Sequence, residues 1–159
     1  MPKSPKRSAG LLMFRRSRDL VEVFLVHPGG PFWSKQHEGS WTIPKGEYDP
    51  DEEPLAAAQR EFLEETSFNS TGPFIDLGSV RQKSGKVVLA WAFEGDCDPA
   101  HLLSNTCEIE WPPRSKKRIT IPEVDRGDWF SLSPAATFIR EEQRPFLQRL
   151  NLELTLDKN

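Results

Sequence analysis

Cysteine, long apolar runs and net positive charge are all scarce in this chain, and each scarcity closes off a class of function. The two cysteines, Cys97 and Cys107, match no metal-ligand spacing. With no export signal they read as free thiols of a reducing cytoplasm, a disulfide between them being the alternative. No apolar stretch approaches the roughly 18 residues of a membrane span. The opening MPKSPKRSAG is basic but lacks the apolar core of a secretory leader. A cytoplasmic protein that crosses no membrane is the expectation. The formal charge is −3 and the pI is near 5.7, so the basic excess of a general nucleic-acid binder is missing. Without internal repeats, 159 residues fit one domain with its own core. We expect a flexible basic tail over residues 1–7 and a single domain over residues 8–159.

What is present sketches alternating strands and helices, an α/β chain. Residues 8–14 (SAGLLMF) and 20–27 (LVEVFLVH) are apolar and rich in branched side chains, and the charged RRSRD between them predicts a hairpin. His27, at the end of the second strand, reads as structural. Residues 28–39 (PGGPFWSKQHEG) form a long Gly- and Pro-rich connection, the kind that is functional or disordered. Its Phe32 and Trp33 either stack on a purine or pin the loop to the core. Residues 41–44 (WTIP) predict a short strand. Residues 74–82 and 86–93 predict two more, joined at Ser84-Gly85. In 107–111 (CEIEW) alternation puts Glu108 and Glu110 on one side. Residues 112–126 read as irregular and carry Arg114, Lys116, Lys117 and Arg118, either a solvated loop or a phosphate contact. A strand at Trp129-Phe130 and a helix from about Ser133 that includes Ile139 follow. Pro145 is expected to interrupt the terminal helical region, with Phe146, Leu147 and Leu150 closing the core.

The most informative stretch is KGEYDPDEEPLAAAQREFLEETSF, residues 45–68. Proline suits a first helical turn because its missing N–H has no partner there, so a helix is predicted from Pro54, capped by Glu53, to about Thr66. At about 100° per residue, Leu55, Ala58, Phe62 and Thr66 share one face, while Glu64, Glu61 and Glu65 fall at roughly 180°, 240° and 280° from Leu55. Like charges at these spacings destabilise a bare helix by roughly 0.2–0.5 kcal/mol per pair, which calls for a compensating cation. Clustered carboxylate oxygens suit a hard divalent ion such as Mg²⁺ that also takes substrate phosphate. A solvated acidic face is the plain alternative.

Taken with its spacing, the segment is Gly46, five residues, Glu52, seven residues, Arg60-Glu61-Phe62, one residue, Glu64-Glu65, one residue, Ser67-Phe68. This pattern resembles the box of the Nudix hydrolases, which cleave a nucleoside diphosphate linked to another moiety. Every charged position matches; Ser67 stands where the family has glycine. The glycine would serve as helix C-cap, so the substitution should cost about 1 kcal/mol at most, with Asn69 available for the turn. The resemblance implies the Nudix fold, a mixed curved β-sheet sandwiched between helices (α/β/α). It implies Mg²⁺, or Mn²⁺, held by Glu61, Glu64 and Glu65 with a backbone carbonyl at Lys45 or Gly46, and a catalytic role for Glu61 as ligand or base. Arg60 falls at about 140° on the wheel, away from the metals and towards the loop, and is expected to pair with Glu52 and brace it. Lys45 is expected on phosphate. Glu123, a few residues ahead of Trp129, resembles the extra glutamate that several members keep outside the box, and is a second candidate base.

Substrate is less sharply marked. The lead-in Trp41-Thr42-Ile43-Pro44-Lys45-Gly46 resembles that of dinucleoside polyphosphate and diphosphoinositol polyphosphate members. The signatures of NADH- and coenzyme A-type members are missing. The proline of ADP-ribose members is missing near Lys83, and so is the tyrosine of many dinucleoside polyphosphate enzymes; Tyr48 is the chain's one tyrosine. A dinucleoside polyphosphate or nucleoside triphosphate is the first expectation, with Trp33, Lys45, Lys116, Lys117 and Arg118 as substrate contacts. Diphosphoinositol polyphosphate or ADP-ribose hydrolysis is the alternative. Two other classes stand beside these: a nucleotide-binding regulator without turnover, and an isopentenyl diphosphate-type isomerase, against which the placement of both cysteines counts.

Overall fold

The structure, a computed structural model, describes residues 6–157. Eleven-residue β1 (Arg7–Ser17) and β2 (Leu20–Pro28) pair antiparallel from Phe14↔Val23 to Ser17↔Leu20. Arg18 and Asp19 turn the chain at φ 51° and 70°, both positive, as a two-residue hairpin that follows the strand twist requires. The other edge of β1 pairs parallel with β5 (Val87–Glu94), which pairs antiparallel with β4 (Ile75–Arg81). β8 (Val124–Ser131) pairs antiparallel with β2, and three-residue β3 (Lys45–Glu47) lies against the start of β1. The result is a six-stranded mixed sheet in the order β4-β5-β1-β2-β8, with β3 beside β1. β6 (Thr106–Glu110) and β7 (Arg118–Pro122) form a separate two-stranded arm.

Helices cover both faces, as the sandwich expectation requires. Alternation along β1 sends Ala9, Leu11 and Met13 towards Ala57, Ala58 and Phe62 of α1 (Pro54–Thr66). Leu12 and Phe14 point the other way, into a second core with Ala135 of α2 (Leu132–Phe138) and Phe146, Leu147, Leu150 and Leu154 of α3 (Arg144–Asp157). Phe62 is fully buried, a contribution of about 1.5–3 kcal/mol that fastens the helix to the sheet. No described helix is long and apolar enough to cross a membrane. Cys97 and Cys107 are free thiols.

Several expectations need correction. The tail boundary moves: Arg7 already belongs to β1, and the Lys6 carbonyl accepts from Val87 N–H at 2.9 Å, while residues 1–5 lie outside the described residues. Residues 41–44 make only isolated bridges, Val26↔Thr42 and Trp41↔Ile139, because Pro44 has no N–H to extend a ladder; the strand starts at Lys45. Residues 112–126 are not irregular throughout, since β7 and the start of β8 lie within them. Ile139 caps α2 instead of continuing it, and Pro145 sits in the first turn of α3, where proline opens a helix.

Candidate active site

The box helix begins where its sequence says it should. Glu53 is the N-cap, its carboxylate accepting from Leu55 N–H at 3.2 Å and Ala56 N–H at 2.8 Å. At the other end Ser67 itself takes the left-handed conformation, φ 68°, and its N–H donates to the Leu63 carbonyl at 2.8 Å. The turn therefore does not pass to Asn69. The Ser67 hydroxyl donates to the Leu103 carbonyl at 2.6 Å, a bond that glycine lacks and that offsets the conformational cost. It ties the helix end to the segment leading into β6. Along that segment Asn105 N–H donates to the Glu64 carbonyl at 2.8 Å, Glu123 N–H to the Asn105 carbonyl at 2.9 Å, and Val124 N–H to Ser104 Oγ at 3.0 Å. These bonds hold Glu123 against α1 although 58 or more residues separate it from the box carboxylates Glu61, Glu64 and Glu65.

Gly46 explains why the loop needs glycine. A Cβ there would overlap the Glu61 carboxylate, so only bare backbone lets Glu61 fold against β3. Next to it, Lys45 N–H donates to Glu65 Oε2 at 3.0 Å. Both carboxylates are buried. Burial pushes the Glu65 carboxyl up to about 8, against the Lys45 N–H bond that favours its charged form. Burial also raises Glu61 despite its contact with Arg60, and the charges of Glu64 and Glu123 push the same way. Glu123 is raised by burial and then by Glu64. Four carboxylates thus crowd one surface, and three of them, Glu61, Glu65 and Glu123, are held back from ionising.

Arg60 makes the expected pair with Glu52 and more. Its Nε donates to Glu52 Oε2 at 2.9 Å and its Nη2 to Glu52 Oε1 at 3.0 Å, a two-pronged contact. Glu52 is held below its ordinary range by this bond. The third nitrogen, Nη1, reaches Glu61 at 2.9 Å and Glu64 at 3.3 Å. Arg60 therefore does not turn away from the acidic face: it spans it, because the long guanidinium fork faces both sides at once. As arranged here, no three acidic, histidine or cysteine side chains among the described residues enclose an ion; Arg60 draws in Glu61 and Glu64 while β3 holds Glu65. The donor set nonetheless fits a hard divalent cation, being all oxygen, mutually repelling and packed against the side-chain-free backbone of Gly46.

The remaining predicted residues divide. Trp33 is half-buried in the loop before Trp41, edge-to-face with the exposed Phe32 at 4.8 Å, and the Arg140 guanidinium stands 5.9 Å from its ring centre. His27 is buried and braces that loop, with Asp125 at 2.9 Å on Nδ1 and the Gln36 carbonyl at 2.6 Å on Nε2. Lys116, Lys117 and Arg118 are exposed at the tip of the β6–β7 arm, where Arg118 comes within 3.8 Å of Glu108. None of the three contacts a box carboxylate among the described residues. Sequence reasoning missed Arg140 and the Ser104-Asn105 link, which carry no motif of their own.

Comparison with known proteins bears on the fold and the family. The chain is 31% identical over 130 residues, 80% of its own length and 81% of the relative's, to an uncharacterised 17.7 kDa protein of the e-segB intergenic region in Enterobacteria phage T4. Among solved structures it resembles a Caenorhabditis elegans Ap4A hydrolase binary complex (TM-score 0.65, 22% identity, 94% of this chain and 98% of that one). It also resembles the NUDIX domain of Shewanella oneidensis NrtR complexed with ADP ribose (TM-score 0.65, 16% identity, 96% and 90%), and a Methanosarcina mazei MutT protein (TM-score 0.60, 21% identity, 96% and 97%). These likenesses show a shared fold. The family model for the NUDIX domain matches residues 4–150, and the chain therefore belongs to the Nudix hydrolase family.

Proposed function

We propose that this Nudix pyrophosphohydrolase hydrolyses a pyrophosphate bond in a dinucleoside polyphosphate or a nucleoside triphosphate, using Mg²⁺ or Mn²⁺. The observation that carries the reading is the convergence of Glu61, Glu64, Glu65 and Glu123 beside Gly46, with three of the four carboxyls pushed up by burial and by one another. Such crowding is unfavourable on its own and favourable around a divalent cation. Nudix hydrolases generally use divalent metal ions. When bound, the ion neutralises phosphate charge and makes a bound water more acidic.

The chain's own residues do the rest. Glu61, Glu64 and Glu65, with the Gly46 carbonyl, would hold the ion or ions. Glu123, held over Glu64 by the Asn105 link, takes the proton of the attacking water, with Glu61 as the other candidate base. The raised Glu123 carboxyl suits that work, because a base is most useful when its pKa lies nearer the working pH. Arg60 braces the Glu52 loop and so fixes the backbone that positions Gly46. Lys45 places its ammonium at substrate phosphate, Trp33 offers a ring to the nucleoside, and Lys116, Lys117 and Arg118 attract the polyanion towards the site.

Fold likeness to the nematode Ap4A hydrolase and the Trp41-to-Gly46 lead-in support the dinucleoside polyphosphate preference. The equal likeness to a domain complexed with ADP ribose supports the second reading, an ADP-ribose-type pyrophosphatase. A panel of dinucleoside polyphosphates, nucleoside triphosphates, ADP-ribose, NADH and diphosphoinositol phosphates, assayed with Mg²⁺ for phosphate-containing products, tests both. Turnover is expected to be highest on a dinucleoside polyphosphate. A preference for ADP-ribose would select the second reading, and binding of nucleotides with no turnover of any would make the chain a nucleotide-binding regulator.

A further inference from the structure

The loop between β3 and α1 borders a hollow that the chemistry above does not use. A cavity of about 510 Å³ opens between this loop and the start of β1, within the roughly 300–1,000 Å³ of small-molecule sites. Among the described residues, none of Glu61, Glu64, Glu65 and Glu123 lines it. Tyr48 does, held beside β1 by its N–H, which donates to the Arg7 carbonyl at 3.2 Å. Lys6 and Arg7 enter from the β1 side, Pro50 and Pro54 from the loop.

The two carboxylates of the lining are already taken. Glu47 pairs with the Lys86 ammonium at 3.0 Å, and Glu52 with the Arg60 fork at 2.9 and 3.0 Å; neither Lys86 nor Arg60 lines the cavity. The donors are open. Among the described residues, the Lys6 ammonium, the Arg7 guanidinium and the Tyr48 hydroxyl make no ion pair or hydrogen bond. Two cations on a plain surface would be a solvated edge. Around a hollow whose acceptors are engaged and whose donors are free, they select a ligand that brings acceptors and negative charge of its own. The apolar part of the lining is made of rings: the Tyr48 phenol, which packs against the α1-side core, and the two prolines. Such a surface takes the face of a planar ring, and a planar ring that carries a phosphate is a nucleotide.

We infer that this cavity is a second nucleotide site, which takes a nucleoside monophosphate with its phosphate on Lys6 and Arg7 and its base against Tyr48. Arg7 meets the phosphate with a planar fork and Lys6 as a point charge. The loop from Pro50 to Pro54 includes Glu52, so the nucleotide lies against the segment that Arg60 braces. The site needs neither metal nor turnover and therefore does not depend on the pyrophosphohydrolase reading.

The test is an amide NMR titration of the full chain with AMP in EDTA, where no divalent ion draws phosphate to the box. Shifts are expected at Arg7, Tyr48 and Glu52, and none at Trp33 or Glu64. Arg7→Gln should weaken binding about tenfold through loss of a charge-assisted pair of hydrogen bonds. Lys6→Gln should weaken it about threefold, because a single exposed charge contributes less. Inorganic phosphate should bind about tenfold more weakly than AMP, since it has no ring to stack. The absence of shifts, shifts confined to Trp33 and the box, or wild-type affinity in a folded Arg7→Gln overturns the site. Should Arg7→Gln fail to fold, wild-type affinity in Lys6→Gln does the same. Inorganic phosphate binding as tightly as AMP overturns the nucleotide assignment. If no substrate is hydrolysed and the AMP shifts still depend on Arg7, the hydrolase reading falls and this site stands.

Discussion

The box helix and the β6–β7 arm hold charge under opposite conditions. On α1 the carboxylates of Glu61 and Glu65 are buried within reach of Glu64 and Glu123, and their protonation is pushed up. On the arm, Lys116, Lys117 and Arg118 are exposed, and the ion pair there, Arg118 to Glu108 at 3.8 Å, joins two exposed groups. An exposed cation costs the fold almost nothing, whereas a buried carboxylate costs it several kcal/mol unless something compensates. Charge that a fold keeps at a cost is a better guide to chemistry than charge it keeps for free.

The sharpest way to break this contrast is at the carboxylates. Glu64→Gln and Glu65→Gln each remove a charge and keep the shape, so kcat/KM with Mg²⁺ should fall at least about a hundredfold in both. The fold should survive, and Glu65→Gln should raise the melting temperature of the metal-free protein by relieving the buried charge. Near wild-type rates in either variant would remove the box from the chemistry. Arg60→Ala comes next. It frees Glu52 and leaves Glu61 and Glu64 facing each other without their guanidinium. Activity should drop, and the melting temperature should fall by about 2–4 °C for each kcal/mol lost. Unchanged stability with lost activity would make Arg60 a substrate contact instead of a brace.

The contrast also explains what could be read from the chain. The α1 boundaries, the Glu53 cap and the Arg60–Glu52 pair were legible because they depend on residues within one helix and its loop, where spacing alone fixes geometry. β7 was not, because Arg118-Ile-Thr-Ile-Pro122 is short, follows a basic run and becomes a strand only through pairing with β6. Arg140 was invisible for a similar reason. Its place is set by the long-range bond to Trp41, and nothing in its neighbours announces a site. Ser67 looked like a defect in the box; its hydroxyl bond to Leu103 shows that the departure carries its own compensation.

A smaller effect should appear on titration. Glu65 ionises near 8 in the folded chain against an ordinary 4.5, so between these values the folded state binds more protons than the unfolded state does. Stability then falls as pH rises. The metal-free protein should lose thermal stability steadily from about pH 5 to pH 8, and Glu65→Gln should flatten that slope. Excess Mg²⁺ should flatten it too, since the ion takes the ionised carboxylate and releases a proton. Melting curves across this range in EDTA and in Mg²⁺ check both; a wild-type slope that rises with pH in EDTA would mean that Glu65 is not desolvated.

The least effect belongs to the arm. Because its cations are exposed and unburdened by burial, a Lys116→Ala/Lys117→Ala variant should keep its stability within about 0.5 kcal/mol of the wild type. Its influence on the reaction should run through long-range attraction of a polyanionic substrate, which salt screens over about 10 Å at 0.1 M and about 3 Å at 1 M. Its kcat/KM on a dinucleoside polyphosphate should therefore fall several-fold at low ionic strength and converge on the wild type as salt rises, with kcat unchanged throughout. A deficit that persists at high salt would mean that Lys116 or Lys117 touches the substrate directly. The arm would then share with the box the property that now separates them, charge withdrawn from water when substrate binds.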